Sequence, residues 1–229
     1  MRLYDYAASG NCYKVRLALA QLELPYERIP VDIFDGGTLT DEFGRLNPAR
    51  TTPVLVRDGE EPLPESAAIL LRVAEGTALL PDHPGERAQV HRWLVFEQTD
   101  VIPAVAGLRF RLQTGRLQPN DAEARARLAA GEELLRLLAD QLSTREFIVS
   151  SGYSVADIAL YGYLHAAGEA GYELPASVRA WAERVEAQPG FMNDLEPYPA
   201  NARPGAGRST YDERPPAEVR GAAAANRRP

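Results

Sequence analysis

The chain has 229 residues, 45% of them hydrophobic, and a formal charge of −7, enough for one large or two small domains with a real core. Its acidity argues against a nucleic-acid partner, and its single cysteine excludes an internal disulfide or a zinc cluster built on cysteines. With no run of eighteen apolar residues and no signal-peptide pattern, a soluble cytoplasmic protein without a membrane partner is expected.

Met1–Tyr6 reads as a strand. After a short turn comes a helix with Val15, Ala18, Leu19 and Leu22 at the i, i+3, i+4, i+7 spacing of an amphipathic helix, and Pro25 follows its end. Tyr26–Val31 reads as a second strand, which makes a βαβ unit. Phe34–Thr38 is a loop. Asp41–Leu46 allows one or two helical turns, stopped by Asn47-Pro48. Thr51–Arg57 is the third strand, Asp58-Gly59 a turn signal, and Glu61–Leu63 the returning fourth strand. A helix from Glu65 to Ala74 then closes a first domain of residues 1–76.

Residues 77–85, with Pro81, Asp82, Pro84 and Gly85, read as a linker. No strand pattern follows, and residues 86–200 form an all-helical domain. Glu86–Arg116 is a long helical stretch, bent near Pro103 or Gly107. Asn120 with Glu123 has the spacing of a capping box for a helix reaching about Leu142, and Ser154 with Asp157 repeats that spacing. Pro175 opens a last helix carrying Val178, Trp181 and Val185, closed by Pro189-Gly190. Trp93 and Trp181 are assigned to the core. Residues 201–229 are rich in Pro, Ala and Arg and too poor in apolar residues to order themselves, so a largely mobile tail is expected, with Asp212–Pro229 its mobile part. Tyr198 and Tyr211 are the candidate anchors for part of it.

The chemistry concentrates in Ser9-Gly10-Asn11-Cys12-Tyr13-Lys14-Val15, where the first strand hands over to the first helix. The first backbone N–H groups of a helix lack internal partners and carry partial positive charge. Such a place attracts an anion and favours a thiolate over a thiol. The Ser9 hydroxyl can donate to such a sulfur, or it can simply cap the helix. The Asn11 carboxamide is a second donor. Cys12 lies one position, about 100°, further round the helix, and packing is its expected role. Tyr4 and Tyr6 share one strand face and are expected to pack. Glu65 and Ser66 stand at a helix start, suited to an ammonium and a carboxylate respectively, or to ordinary capping. Lys14 is the only lysine. His83, His91 and His165 lack the spacing of a metal site, so no metal is expected.

Four segments in order resemble the cytosolic glutathione transferases. Leu3-Tyr4, then Ser9 through Leu19, resembles the start of the bacterial, serine-type (beta-like) members. Asn47-Pro48, then Thr52-Pro53-Val54-Leu55, resembles the family's cis-proline segment, and Pro64-Glu65-Ser66-Ala67-Ala68-Ile69 its acidic-serine motif. Ser154-Val155-Ala156-Asp157-Ile158 resembles the capping box of a core helix in the second domain. The resemblance implies a thioredoxin-like βαβ-ββα domain followed by an all-helical one, a homodimer, and glutathione as co-substrate. Catalysis would fall to Ser9 and Asn11. Thr52 and Pro53 would hold the cysteinyl part of glutathione, Glu65 and Ser66 its γ-glutamyl end, and Arg50 is the remaining candidate for its glycyl carboxylate. A small hydrophobic electrophile would bind between the domains, against Tyr13 and Phe34 on one side and Phe96, Leu108, Arg109 and Phe110 on the other. Thiolate attack on that electrophile is the first reading. Glutathione-dependent disulfide or peroxide reduction, with Asn11 and Cys12 as neighbours, is the second. A non-catalytic ligand-binding or scaffold protein using its Arg-rich tail is the third.

Overall fold

The computed structural model describes residues 1–213. Strand β1 (Arg2–Asp5) runs inside a four-stranded sheet of order β2-β1-β3-β4. β2 (Glu27–Pro30) lies parallel to it, with Leu3 opposite Arg28. β3 (Val54–Val56) is antiparallel to β1, with Leu3 opposite Leu55, and β4 (Leu63–Pro64) is antiparallel to β3. The last two strands are shorter than the apolar pattern predicts. Pro53 and Pro62 lack the N–H that a ladder needs, so β3 begins after the first and β4 after the second.

Helix α1 (Gly10–Gln21) buries Val15, Ala18 and Leu19 as expected, while Leu22 caps its end half-buried. It is not amphipathic, because Cys12 through Leu19 are all buried. The sheet and α3 (Ser66–Ala74) cover one side, and α7 (Val155–Leu164) covers the other. The two backbones of α1 and α7 approach at Gly10 and Gly162. A Cβ on Gly10 would stand 2.4 Å from Tyr163 Cε1 and 3.0 Å from Gly162 O. Gly10→Ala is therefore expected to cost roughly 1–3 kcal/mol through overpacking, read as a lower urea midpoint.

Burial on both sides leaves α1 with two sealed cations, each with partners. Lys14 Nζ lies 2.8 Å from Glu97 Oε1, both side chains fully buried. Arg16 donates to Asp5 Oδ1 at 2.6 Å and takes Asp194 through Nε and Nη2 at 2.8 Å each. Arg28 completes Asp5 at 2.5 Å. The first helix is thereby tied to residues far along the chain.

Residues 77–85 connect the two domains but also pack between them. Leu79 and Leu80 are buried, and Leu79 O accepts the Val155 N–H at 3.0 Å. The long helical stretch comprises α4 (Pro84–Phe96), a π-helical segment (Glu97–Ala106) and α5 (Gly107–Gln113). Pro103 lies inside the π segment, and Gly107 N–H reaches back five residues to Ile102 O. The irregularity expected near these two residues thus takes the form of wider turns.

Helix α6 (Ala122–Leu142) lacks the capping box predicted for Asn120 and Glu123. Asp121 occupies the cap position, but its carboxylate turns back to the Gln118 N–H at 2.7 Å. Glu123 is held by Arg127 at 2.9 Å instead. At α7 the box forms: Ser154 N–H donates to Asp157 Oδ2 at 3.0 Å, and Ser154 Oγ accepts the Ala156 N–H at 3.2 Å. Helix α8 (Ala176–Glu186) buries Val178, Trp181 and Val185. Trp93 and Trp181, 1% and 0% exposed, centre a core that Tyr13, Leu17 and Ala18 of α1 share.

After α8 the chain returns across the first domain. Phe34 O accepts the Arg208 N–H at 2.8 Å, and Arg208 O accepts the Gly36 N–H at 2.7 Å. Ala202 and Ser209 are buried. The segment is thus anchored at Ala202 and at Arg208–Ser209, with 203–206 exposed between them, by backbone pairing that side-chain composition does not encode. The expectation for 214–229 lies outside the described residues. Among the described residues no helix is long and apolar enough to cross a membrane.

Candidate active site

Ser9 is the N-cap of α1, with extended backbone (φ −86°, ψ 122°), and its Oγ accepts the Cys12 N–H at 3.3 Å. Capping uses a lone pair and leaves the hydroxyl proton for another acceptor. Cys12 is fully buried, in the packing position expected. Its sulfur accepts the Tyr6 N–H at 3.3 Å. Burial nevertheless pushes its thiol up to about 11, so it stays protonated at neutral pH.

Asn11 Oδ1 accepts the Ser66 hydroxyl at 2.8 Å. That bond joins the first turn of α1 to the start of α3 and uses only the oxygen of the Asn11 amide, whose NH₂ group keeps its two donors. Glu65 precedes α3 with φ +71°, a region that costs a non-glycine residue of order 1–3 kcal/mol and clusters at functional sites. Its carboxylate is exposed and forms no ion pair among the described residues. The Thr52–Pro53 peptide is cis. The loop before it is braced by Asn47, whose Nδ2 donates to Thr51 O at 2.8 Å and whose Oδ1 accepts the Ala49 N–H at 2.9 Å. The Asn11–Ser66 bond brings two of the predicted segments together, with Ser9 and Glu65 beside them in sequence, and Thr52 and Pro53 stand at the entry to β3, the strand next to β1. Arg50 is committed elsewhere: its Nη1 donates to Thr38 O and Thr40 O, 2.8 Å each, which withdraws it as a carboxylate clamp.

The residues expected to line an electrophile pocket divide. Phe34, Arg109 and Phe110 come together. Phe34 and Phe110 stack with centroids 6.1 Å apart, in the same cluster as Tyr6, Ala8 and Cys12. Arg109 pairs with Glu169 at 2.8 Å and lies over the Tyr198 ring, 5.2 Å from its centroid. Tyr13 does not belong with them. It is fully buried in the helical core, with its hydroxyl on Met192 O at 2.9 Å, because α7 covers the face that a one-sided helix would leave open. Leu108 is likewise core, 1% exposed. Phe96 does not belong either. It packs edge-on against Trp93 and lines a groove of about 510 Å³ with Pro103, Ala104, Leu134 and Leu137, to which the first domain contributes nothing.

Two further aromatic residues join the cluster. Tyr198 meets Phe110 at 5.4 Å, and Tyr211 stacks on Phe34 at 5.8 Å and meets Phe110 at 4.8 Å. The signal that could have placed them is their isolation, as large aromatics in a run of Pro, Gly and Ala with nothing nearby to pack on. Among the described residues, no three His, Cys, Asp or Glu side chains are grouped as metal ligands.

Comparison with known proteins fits this architecture. Residues 8–75 match the model of the glutathione S-transferase N-terminal domain, and residues 98–189 that of the C-terminal domain. The disulfide-bond oxidoreductase YfcG of Escherichia coli (strain K12) is 31% identical over 193 residues, covering 80% of this chain and 89% of YfcG. The crystal structure of a glutathione S-transferase from Pseudomonas fluorescens is 39% identical, with a TM-score of 0.81 over 85% of this chain and 98% of that one. A Pseudomonas putida glutathione transferase, solved with one glutathione disulfide bound per subunit, is 26% identical with a TM-score of 0.72, over 82% and 87% of the two chains. With both family domains matched in order on a thioredoxin-like sheet and a helical partner, the chain is an enzyme of the glutathione S-transferase family.

Proposed function

We propose that this enzyme is a serine-type glutathione transferase, in which Ser9 holds the glutathione sulfur as a thiolate for attack on a hydrophobic electrophile. The observation that carries this reading is the convergence at the start of α1, where the Ser9 hydroxyl and the Asn11 amide stand within one turn and Ser66 is bonded to Asn11 across 2.8 Å. A thiol resembling that of cysteine has a pKa near 8.5. Lowering it by about two units takes about 2.7 kcal/mol of preference for the thiolate. One charge-assisted hydrogen bond with a helix N-terminus can supply that together. Asn11 is the second donor, Thr52 and Pro53 the backbone edge for the cysteinyl part, Ser66 the anchor for the γ-glutamyl carboxylate, and Glu65 that for its ammonium. The homodimer and cytoplasmic setting implied by the family resemblance belong to the same proposal.

Glutathione-dependent disulfide reduction is the second reading, favoured by the likeness to YfcG. In it the glutathione thiolate attacks a disulfide sulfur, forms a mixed disulfide and releases a thiolate, and a second glutathione completes the exchange. Cys12 takes no part, being sealed and protonated.

The test is the ultraviolet absorbance of bound glutathione thiolate against pH, in the wild-type enzyme and in Ser9→Ala. The wild type should ionise the thiol near or below neutrality, and Ser9→Ala should raise that pKa by about one to two units. Loss of the cap should separately cost about 1 kcal/mol of stability. An unchanged thiol pKa in Ser9→Ala would leave Ser9 as a cap alone. Product analysis with a low-molecular-weight disulfide separates the second reading.

A further inference from the structure

The core beneath the sheet is not closed at one end. Leu3, Val15, Leu19, Leu55 and Ile69 are buried there, while Met1, Leu24 and Val73 pack against them only half-buried. Together with Leu22, just past the end of α1, these three line a hollow of about 260 Å³. Four large apolar side chains left part-wet forgo burial that the rest of the core gains. The hollow is smaller than the about 300–1,000 Å³ of a drug-sized site, so a short molecule fits it. Helix α1, 12 residues long, separates it from the thiol turn by about 18 Å.

The rim of the hollow is charged, and its charges do not balance. Arg57, directly after β3, and Arg72, on α3, both reach the same oxygen, Glu60 Oε1, at 3.2 and 2.8 Å. Neither guanidinium has another partner among the described residues, so one carboxylate answers two cations. Glu75, also on the rim, does not make up the difference, because Arg87 holds it at 3.1 Å. Thr77 keeps its hydroxyl on Ala74 O at 2.8 Å. One positive charge is left over at the mouth of an apolar hollow. The two guanidiniums also keep N–H groups in the planar arrangement that takes a carboxylate.

We propose that this hollow is a second binding site, separate from the thiol turn, for a medium-chain monocarboxylate. The alkyl chain covers Met1, Leu22, Leu24 and Val73, and the carboxylate lies on Arg57 and Arg72. The single uncompensated charge matches a monoanion, and the apolar lining gives the chain, not the head group alone, a share of the affinity. The chain's own residues beyond Glu213 carry the wrong sign for this place, with Arg214, Arg220, Arg227 and Arg228 against Glu218.

The test is isothermal titration calorimetry of the full chain with octanoate, hexanoate and octan-1-ol. Octanoate should bind one to one. Hexanoate should bind about tenfold more weakly, because each methylene withdrawn from water is worth about fourfold. The double variant Arg57→Gln, Arg72→Gln should weaken octanoate about tenfold, through lost charge-assisted hydrogen bonds at a half-exposed rim, and leave octan-1-ol unchanged. Glu60→Gln, which frees both guanidiniums, should tighten octanoate by about threefold. Glutathione affinity should be the same with and without octanoate. No saturable octanoate binding, equal octanoate affinity in the wild type and the double variant, weaker binding in Glu60→Gln, or displacement of octanoate by glutathione would each overturn the proposal. The Ser9 reading is untouched by any of these, because the absorbance measurement reports it by itself.

Discussion

Lys14→Met should lower stability by about 3–5 kcal/mol, the usual cost of stranding one member of a buried ion pair. Lys14 and Glu97 are both fully buried and 2.8 Å apart. Burial alone pulls the Lys14 pKa down and pushes that of Glu97 up, and their contact opposes both shifts. In the variant Glu97 keeps only the Gln98 amide at 2.9 Å, which cannot replace a full positive charge. At this chain length the melting temperature should fall by roughly 10 °C. The double variant Lys14→Met, Glu97→Leu should recover most of the loss, because two apolar groups of similar volume strand no charge. Urea denaturation of the four proteins gives the coupling directly. A Lys14→Met protein within about 1 kcal/mol of wild type would mean that the pair is not the dry contact described.

Asp157→Ala should be of similar size. The carboxylate accepts the Ile148 N–H at 2.9 Å, the Trp181 indole N–H at 2.9 Å and the Ser154 N–H at 3.0 Å. It also accepts the Ser154 hydroxyl at 3.2 Å. Removing it orphans three buried N–H donors, each worth about 1–3 kcal/mol, while the hydroxyl can rotate, and a total loss of about 4 kcal/mol is expected after relaxation. The pH dependence has a definite sign. Burial raises the Asp157 pKa to about 6 despite those donors, against about 3.9 in the unfolded chain. Between those values the folded protein holds a proton that the unfolded chain has lost. Its contribution is therefore complete below about pH 4 and is lost as pH rises through about 6, a change of about 3 kcal/mol. Asp157→Asn cannot titrate, so its deficit against wild type should shrink from pH 4 to pH 7. A deficit that grows over that range would mean that the three N–H donors outweigh burial.

What could be read in advance was local. Ser154 and Asp157 sit three residues apart with apolar residues after them, and the box forms because nothing nearby competes. Asn120 and Glu123 have the same spacing, and it fails because Arg127 claims Glu123 and Asp121 turns back on Gln118. The candidate site was legible for a related reason: Ser9 and Asn11 are neighbours, and Glu65 and Ser66 are neighbours. Their meeting, Asn11 on Ser66, is a pairing 55 residues apart. Tyr13 was misplaced because its exposure depends on α7, whose packing against Gly10 no periodicity announces. That Lys14 is sealed is not legible locally, because its partner lies 83 residues away.

The ties from α1 to the end of the chain bear on how the protein is made. Arg16 leaves the ribosome well before Asp194, which follows it 178 residues later. At ordinary translation speeds that is a wait of roughly 10–40 s. Over that interval a nascent first domain carries a guanidinium that its finished form seals from water, with Asp5 as its only carboxylate. Phe34 and Gly36 wait almost as long, for Arg208. The sheet domain is therefore made well before the segment that completes it, and it remains dependent on whatever shields a half-built surface until that segment arrives.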